Sequence, residues 1–546
     1  MSEPSTPTAL ATPPLRDTSR DGLWNKVEVS ILSGFRPFWA FVNSQPWLAR
    51  FFNKHIVNIA VLKAPVRPLA LSTMSPYASW SSLTDRTWFA RYLSPRTMPD
   101  DLPTTDQVAE LFRVGSDGPR LSKRSTLLFA SFAQWFTDGF LMTNIGDRKR
   151  TRTNHQIDLC QLYGLTPAAT RALRRFSEAA GQKGRLKSET SRSEEWAPRL
   201  FDSAGAKKTE FLDLPDPVSL PPDWPLDKKV SLFAFGGERA NATAYTAAIN
   251  TLFLREHNRL CGILEAANPD DVNVPPGLEW DDERIFQTAR NINMVQLIKI
   301  VVEEYINHIT PYWFRLLGDP SPCYSAVWNR ENWIPVEFNL LYRWHSLVPE
   351  LAWWNGERVQ LEKTRFNHLR LRADGLGEGF DSASRSEAWQ MGLFNTCSAL
   401  LPVEKASIGQ GRDNLLASYN DYREIMHYPR VTRFEQISSD PLVVDGLRRM
   451  YGHVDRIEFF PGLFAEDLPA RSAVPRLLGR MVATDAFSHA LTNPLLSPNV
   501  FNEATFSREG MDVIRATSTL KDIVDRNVAQ PAGSFRVSME QDASFA

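Results

Sequence analysis

The residues best suited to redox chemistry in this chain are four consecutive ones: Tyr342, Arg343, Trp344 and His345. No helix breaker stands between Val336 and Pro349, so this segment is predicted to be one helix. Residues three apart on a helix share a face, which would place the Tyr342 phenol beside the His345 imidazole. A neutral imidazole is a common axial ligand for haem iron, and a tyrosine one turn away could lose an electron to an oxidised iron. The alternative is ordinary packing, because aromatic and histidine side chains on a buried helix face are most often part of a core.

Four segments of the chain, one of which contains these residues, together favour the redox interpretation. They are residues 31–48, residues 132–140 (FAQWFTDGF), residues 251–260 (TLFLREHNRL) and residues 337–345 (EFNLLYRWH). In this order they resemble the membrane-binding helices, the distal helix, the signature helix and the radical-tyrosine segment of the haem peroxidase–cyclooxygenase superfamily. The resemblance is greatest to prostaglandin synthases and to bacterial and fungal haem fatty-acid dioxygenases, and it covers roughly residues 24–525.

The resemblance implies a mainly α fold. We expect a large helical haem peroxidase/cyclooxygenase-like domain preceded by short amphipathic helices. The predicted borders are a disordered tail at 1–20, membrane-binding helices at 21–65, a catalytic domain at 66–526 and a second disordered tail at 527–546. Both tails are rich in small and polar residues, which favours disorder.

Composition limits the class of protein further. Hydrophobic residues make up 43% of the 546 residues, which is enough for a large core, and the net charge of −1 gives no electrostatic case for nucleic acid binding. The four cysteines are widely spaced and suggest no disulfide framework. The first 20 residues lack the apolar core of a signal peptide, and no run approaches the roughly 18 apolar residues that span a bilayer. We therefore expect a cytoplasmic protein with peripheral membrane association.

Residues 24–62 differ in character from the rest of the chain. Tryptophan, phenylalanine and branched aliphatic residues alternate there with Lys26, Arg36, Arg50 and Lys54. Short amphipathic helices of this composition are typical of segments that lie in a membrane interface. The alternative is a set of short helices packed on the main core, and the family resemblance favours membrane contact through residues 24–62.

The resemblance implies haem b as the cofactor. His345 would be the proximal ligand of the iron, Trp344 would lie beside the cofactor, and Tyr342 would carry the radical. In relatives, a peroxide oxidises the iron, which then oxidises the tyrosine. The tyrosyl radical removes a hydrogen atom from an unsaturated fatty acid, and O2 adds to the carbon radical.

The distal side is where the chain departs from this pattern. The alignment places Asp138, one helical turn after Gln134, where relatives have a histidine that moves protons during peroxide cleavage. Residues 236–241 (GGERAN) resemble a segment of the peroxidase branch whose arginine reaches over the haem, so Arg239 is expected to pair with Asp138. That pairing should lower the pKa of Asp138 and hold it ionised, which predicts weak peroxidase activity. Gly139 stands where the peroxidase branch has a calcium-binding aspartate, so we expect no calcium at that site.

Substrate contacts are predicted from the same resemblance. Phe487 and Ser488 align with a segment of the fatty-acid channel. Arg330 aligns with a tyrosine that holds the substrate carboxylate, and Lys63 lies a few residues beyond the aligned position of its arginine partner. A guanidinium could bind a carboxylate through two hydrogen bonds, although an exposed surface arginine is the plain alternative for Arg330.

The sequence therefore predicts a haem-dependent fatty-acid dioxygenase that uses a tyrosyl radical and forms a hydroperoxide-type oxylipin. Two alternatives stay open: a haem peroxidase acting on small reductants, and a degenerate, non-catalytic haem- or lipid-binding protein. The expected partners are a fatty acid, O2 and a membrane surface, with a homodimer or a monomer equally compatible. The sequence does not identify the fatty acid or the position of oxygenation.

Overall fold

The computed structural model describes residues 30–62, 72–74, 77–268, 279–329 and 331–541. Most regular structure in these ranges is helical, and the strands are short. The predicted mainly α fold is therefore confirmed. The expected tail at 1–20 lies outside the described residues.

The α-helices fall along the described chain as follows: Arg36–Ser44, Pro46–Leu62, Trp80–Thr84, Thr105–Ala109, Leu127–Phe140, Cys160–Tyr163, Pro167–Leu173, Leu226–Lys229, Ala244–Ala267, Asp282–Ile300, Asn307–Ile309, Val336–Leu341, Leu369–Asp374, Leu376–Arg385, Leu401–Asp413, Tyr419–Ile425, Pro441–Tyr451, Phe459–Ala465, Arg476–Leu491, Glu503–Arg515 and Leu520–Asn527. Three antiparallel pairs of strands accompany them: Leu121–Thr126 with Glu387–Trp389, Glu189–Ser191 with Glu194–Trp196, and Leu351–Trp354 with Glu357–Gln360. Short 3-10 turns lie at Thr209–Phe211, Ser321–Cys323, His345–Leu347, Leu361–Thr364, Ser398–Leu400, Phe434–Gln436, Val454–Arg456 and Pro494–Leu496.

The helix Ala244–Ala267 forms the centre of the fold. It begins at Thr243, whose side chain accepts a hydrogen bond from the Thr246 amide, and most of its residues are buried. It packs against the helices Leu127–Phe140, Asp282–Ile300 and Leu520–Asn527. A helix buried on all sides fixes the relative positions of its neighbours, including the one that carries Asp138.

Charged and polar residues of this central helix form a buried network. Glu256 is fully buried and accepts hydrogen bonds from Arg259, Arg526, Gln296 and Asn527. The neighbouring His257 contacts the Tyr163 hydroxyl and the Gly184 carbonyl, and burial lowers the pKa of its ring to about 3. These groups hold helices together.

The long helix that packs on the central one changes its hydrogen-bonding pattern near its end. Asp281 caps the α-helix Asp282–Ile300, and a π-helical turn follows at Val301–Ile306. Such turns are rare and often lie at functional sites. Here the turn contains Tyr305, whose ring stacks on Trp344 with centroids 6.2 Å apart.

The helix predicted through Tyr342 and His345 is wrong in its second half. The α-helix Val336–Leu341 ends at Tyr342, and His345 begins a 3-10 turn. A continuing helix would give the Leu341 carbonyl to the amide of His345, but the indole N–H of Trp344 takes that carbonyl instead. Tyr342 and His345 therefore do not share the face of one continuous α-helix.

The N-terminal helices Arg36–Ser44 and Pro46–Leu62 lie against the main domain. Trp39 packs edge-to-face on Phe314, while the Asn43 and Asn53 amides donate to the carbonyls of Trp313 and Leu317. Exposed apolar side chains lie on these helices and just before them: Ile31, Phe35, Phe38, Phe41, Trp47, Phe51, Ile59 and Leu62. Among the described residues, no helix is long and apolar enough to cross a bilayer.

The expectation of a disordered C-terminal tail does not hold for residues 527–541. Val537 and Met539 are buried, and the Met539 carbonyl accepts a hydrogen bond from the Thr126 amide. Arg124 pairs with Glu540 at 3.0 Å. Apolar residues among the small polar ones therefore anchor this segment, while residues 542–546 lie outside the described ranges.

Candidate active site

A small cavity lies between the helix Leu127–Phe140, the segment that follows it, the loop at 236–241 and the helix Val336–Leu341. Its lining consists of Thr137, Asp138, Leu141, Met142, Thr143, Glu238, Arg239, Asn339, Tyr342 and Arg343. Three residues predicted separately from sequence, Asp138, Arg239 and Tyr342, thus meet around one space.

The loop that carries Arg239 is held by its glycines and its asparagine. A Cβ atom on Gly236 would lie 1.9 Å from the Gly164 amide nitrogen, so only glycine permits this close approach. The Asn241 amide donates to the Phe233 carbonyl and its oxygen accepts from the Phe233 amide. Both contacts explain why the GGERAN spacing brings Arg239 to the cavity.

Asp138 pairs with Arg239 as expected, but its pKa moves in the other direction. The Arg239 Nη1 and Asp138 Oδ1 atoms lie 3.5 Å apart, and only 13% of the Asp138 side chain is exposed. Burial raises the pKa of Asp138 to about 6, although Arg239, Arg343 and Gln134 each oppose that rise. The expectation of a lowered pKa is therefore wrong, because desolvation outweighs a long ion pair.

Gln134 lies one turn before Asp138 on the same helix, as predicted. Its side chain is exposed and does not line the cavity, and its amide acts on Asp138 by lowering the pKa of the carboxyl group. The residue therefore lies at the edge of the site.

Tyr342 is buried, and its phenol finds no hydrogen-bond partner among the described residues. Burial, and then the charge of Asp485, raises the pKa of the phenol well above its usual value. The ring packs edge-to-face on Phe338 at 5.1 Å and lies 4.9 Å from the ring of Trp344. The phenol is therefore neutral at any ordinary pH and shielded from bulk water.

Arg343 is a cavity residue to which sequence reasoning assigned no role. Its Nη2 atom donates to the Asn339 side chain at 2.7 Å, and burial, with Arg239 nearby, lowers the pKa of the guanidinium to about 10. The only feature of the sequence that could have indicated such a role was the position of Arg343 within the Tyr342–His345 motif. The cavity lining thus contains two guanidinium groups, of Arg239 and Arg343, and two carboxyl groups, of Asp138 and Glu238.

His345 and Trp344 stand just beyond the lining of this cavity. The His345 side chain is 17% exposed, and its Nδ1 atom lies 3.2 Å from Glu404 Oε2. Trp344 is buried among the rings of Phe129, Tyr305 and Tyr342. The haem-binding roles predicted for the two residues stay predictions.

The predicted substrate residues are only partly described. Phe487 and Ser488 are buried on the helix Arg476–Leu491, which packs against Val336–Leu341, but neither lines the cavity. Lys63 and Arg330 lie outside the described residues. The four assignments, like the expected absence of calcium beside Gly139, stay predictions.

The chemistry of the cavity fits a haem. Asp138 Oδ2, Tyr342 Oη and Arg343 Nε are buried polar atoms with no hydrogen-bond partner among the described residues. Buried polar atoms are nearly always bonded, so three of them around one space indicate a bound group or water. His345 supplies an imidazole close by, and the guanidinium groups of Arg239 and Arg343 complement the anionic propionates of a porphyrin.

Comparisons with known proteins identify the family of the chain. A model of the animal haem peroxidase family matches residues 142–399 and 401–538. Prostaglandin G/H synthase 2 of Equus caballus is 28% identical over 512 residues, which cover 91% of this chain and 80% of the relative. These matches define an oxidoreductase of the haem peroxidase–cyclooxygenase superfamily. Within it, the matched residues make up most of the chain, and the protein belongs to the animal haem peroxidase family.

Solved structures show the same fold at lower identity. Fatty acid alpha-dioxygenase of Arabidopsis thaliana superposes with a TM-score of 0.68 at 15% identity, covering 96% of this chain and 93% of that one. Peroxidase A of Dictyostelium discoideum superposes with a TM-score of 0.63 at 18% identity, covering 84% of this chain and 96% of that one. Both a dioxygenase and a peroxidase therefore share this architecture.

Proposed function

We propose that the protein is a haem-dependent dioxygenase that adds O2 to an unsaturated fatty acid through a radical on Tyr342 and yields a hydroperoxide-type product. The observation that carries the proposal is the buried, unbonded phenol of Tyr342 on the wall of the cavity that also contains Asp138 and Arg239. Similarity to a prostaglandin G/H synthase and to a fatty acid alpha-dioxygenase supports the fatty-acid substrate.

In this proposal haem b, held by His345 with Trp344 beside it, supplies the oxidising power when it is bound. Tyr342 gives up an electron and its phenolic proton, and the resulting radical takes a hydrogen atom from an activated carbon of the fatty acid. O2 then adds to the carbon radical, and a hydrogen atom returned by Tyr342 completes the hydroperoxide. The packing of Phe338 and Trp344 around the phenol keeps water away from the radical.

Asp138 acts on the peroxide side of the site. A carboxyl with a pKa of about 6 exists in both forms near neutral pH, so it can accept a proton from a peroxide and return it. Arg239 and Arg343 place positive charge beside the cavity and stabilise negative charge that develops there. The peroxidase rate is therefore expected to be higher than it would be if Asp138 were permanently ionised.

The fatty acid is proposed to enter from a membrane surface. Phe35 and Trp47 are 74% and 69% exposed on the N-terminal helices, and other aromatic side chains on the same faces are exposed as well. Arg36, Arg50 and Lys54 provide basic groups in this segment, as an interfacial anchor requires. Lys63 and Arg330 are proposed to hold the fatty-acid carboxylate. Phe487 and Ser488 are proposed to line the channel for its hydrocarbon chain. The proposed compartment is the cytoplasm.

Oxygen uptake with linoleate tests the proposal. Purified protein loaded with haem should consume O2 in the presence of linoleate and a trace of peroxide, and mass spectrometry should detect the dioxygenated product. Tyr342→Phe should bind haem normally and lose this uptake, because only the phenol can form the radical. Tyr245→Phe is a matched control, since Tyr245 is also a buried tyrosine but lies on the central helix. Undiminished uptake by Tyr342→Phe would contradict the radical role.

A haem peroxidase acting on small reductants is the second candidate. The pKa of about 6 at Asp138 favours it, because this group suits peroxide cleavage near neutral pH. Rapid oxidation of a small phenol by hydrogen peroxide, without any O2 uptake on linoleate, would support the peroxidase. If the protein binds haem but catalyses neither reaction, the non-catalytic alternative is left.

A further inference from the structure

A buried carboxylate faces the imidazole of His345 from another helix. Glu404 lies in the first turn of Leu401–Asp413, its side chain is only 1% exposed, and its Oε2 atom is 3.2 Å from His345 Nδ1. Its other oxygen accepts a hydrogen bond from the Thr396 hydroxyl at 3.0 Å. The two residues are 59 positions apart in sequence, so no local motif marks their contact.

Among the described residues, the imidazole of His345 is the basic group within ion-pair distance of Glu404 Oε2. Within the described ranges no lysine or arginine forms an ion pair with Glu404, although the charge of Arg343 acts on it from the cavity side. Among the described residues, neither His345 Nδ1 nor Glu404 Oε2 has a hydrogen-bond partner in the present ring orientation. A carboxylate that is buried without a cation is costly, which indicates that it serves the ring it faces.

We propose that Glu404 is a positioning residue for His345: its carboxylate accepts the Nδ1–H of the imidazole, which leaves the Nε2 lone pair for the iron. Rotation of the ring on haem binding would align the donor with Oε2, which is already at hydrogen-bond distance. A carboxylate on the far nitrogen fixes the tautomer, orients the ring and makes the imidazole a stronger donor to the metal. The inference rests on haem ligation by His345, which is part of the proposed function.

The iron–histidine bond provides a direct test. In the ferrous haem-loaded protein, Glu404→Gln should lower the iron–histidine stretching frequency measured by resonance Raman spectroscopy. The reason is that a neutral amide replaces the negatively charged carboxylate beside the imidazole, which makes the imidazole a weaker donor to the iron. The same variant should lose haem to an excess of apomyoglobin about 10- to 100-fold faster than the unmodified protein. Thr396→Val, which retains the carboxylate but removes its second anchor, should give a smaller change in the same direction.

Two further variants separate the possible outcomes. Glu337→Gln is the matched control, since Glu337 is a buried carboxylate near His345 in sequence but bonds to Tyr92 and Tyr422 instead. An unchanged stretching frequency in Glu404→Gln would overturn the positioning role. If Glu404→Gln does not fold, an unchanged frequency in Thr396→Val would do the same. Normal haem content in His345→Ala would instead overturn the proposed ligand, whatever the Glu404 variants show.

Discussion

At the scale of single residues, the balance of forces on Asp138 decides what the peroxide side of the site can do. Arg239 lies 3.5 Å away and favours the ionised carboxylate, but burial favours the neutral acid more strongly and sets the pKa at about 6. The base form that accepts a proton from a peroxide therefore exists above about pH 6 and disappears below it. A change of one proton should be visible in the kinetics.

We expect the rate of haem oxidation by hydrogen peroxide to rise between about pH 5 and pH 7, with a midpoint near the pKa of Asp138. Asp138→Asn should slow this step by about 10²- to 10⁴-fold and remove the midpoint, because the amide cannot accept the proton. Stopped-flow absorbance at the haem band measures the step. A fast, pH-independent reaction that Asp138→Asn leaves unchanged would show that this carboxyl takes no part.

The same midpoint reports on Arg239. Its charge lowers the pKa of Asp138, so Arg239→Ala should move the midpoint to higher pH. Arg152→Ala is a suitable control, because Arg152 pairs with Glu238 next to Arg239 and not with Asp138. A midpoint that moves equally in both variants would indicate a general loss of positive charge and not a specific pair.

Residue pairs show which contacts of the site could be predicted from the sequence and which could not. The Asp138–Arg239 pair was predictable because each residue stands in a motif with a family counterpart. The pKa of Asp138 was not, since desolvation depends on every group packed around the carboxyl. Neither Arg343 in the cavity wall nor Glu404 beside His345 was assigned a role, because their contacts exist only after helices distant in sequence come together.

At the scale of elements, the N-terminal helices combine firm attachment with an apolar outer face. Trp39 and Asn43 fix the helix Arg36–Ser44 to the main domain, so its exposed aromatic side chains have a defined direction. An exposed apolar face of this kind marks a membrane or protein contact. Basic residues in the same segment favour an anionic bilayer.

We expect the full chain to co-sediment with anionic liposomes at low salt and to dissociate partly as salt increases, because screening weakens only the electrostatic contribution. The double variant Phe38→Ser, Phe41→Ser should weaken binding several-fold without changing haem content, since each exposed ring contributes buried apolar area in the interface. Trp80→Ser is the control, because Trp80 is 81% exposed but lies outside the segment. Equal loss of binding in both variants would argue against a specific anchor.

Two element borders show why local patterns were not sufficient. The helix Val336–Leu341 ends earlier than predicted, just before Tyr342, because the Trp344 indole takes a backbone carbonyl. Helix propensity does not report this side-chain contact. The composition of the C-terminal segment predicted disorder. Two of its apolar side chains, Val537 and Met539, are nevertheless buried, and the Met539 backbone bonds to the strand Leu121–Thr126. In both cases a few specific contacts outweighed the local tendency.

At the scale of the whole molecule, the fold was predictable because family motifs follow one another along the chain in the family's order. The central helix Ala244–Ala267 contains one of them, residues 251–260, and its charged side chains form a structural network. That network joins parts of the chain that are far apart in sequence, since Glu256 meets Arg526 and Asn527 of the last helix. Its strength can therefore be measured as the stability of the whole domain.

We expect Glu256→Ala to lower the free energy of unfolding by about 3–5 kcal/mol, because it leaves Arg259 and Arg526 without their buried partner. Burial alone would raise the pKa of Glu256, but the two arginines reverse that effect and lower it to about 2. A carboxyl with a depressed pKa stabilises the fold above its unfolded-state pKa, and this contribution is lost as the pH falls from about 4.5 towards 2. Urea unfolding of the unmodified protein should show that loss, and Glu256→Ala should show less of it. The exposed Glu503→Ala should change neither quantity, and an equal effect at both positions would exclude a special role for the buried network.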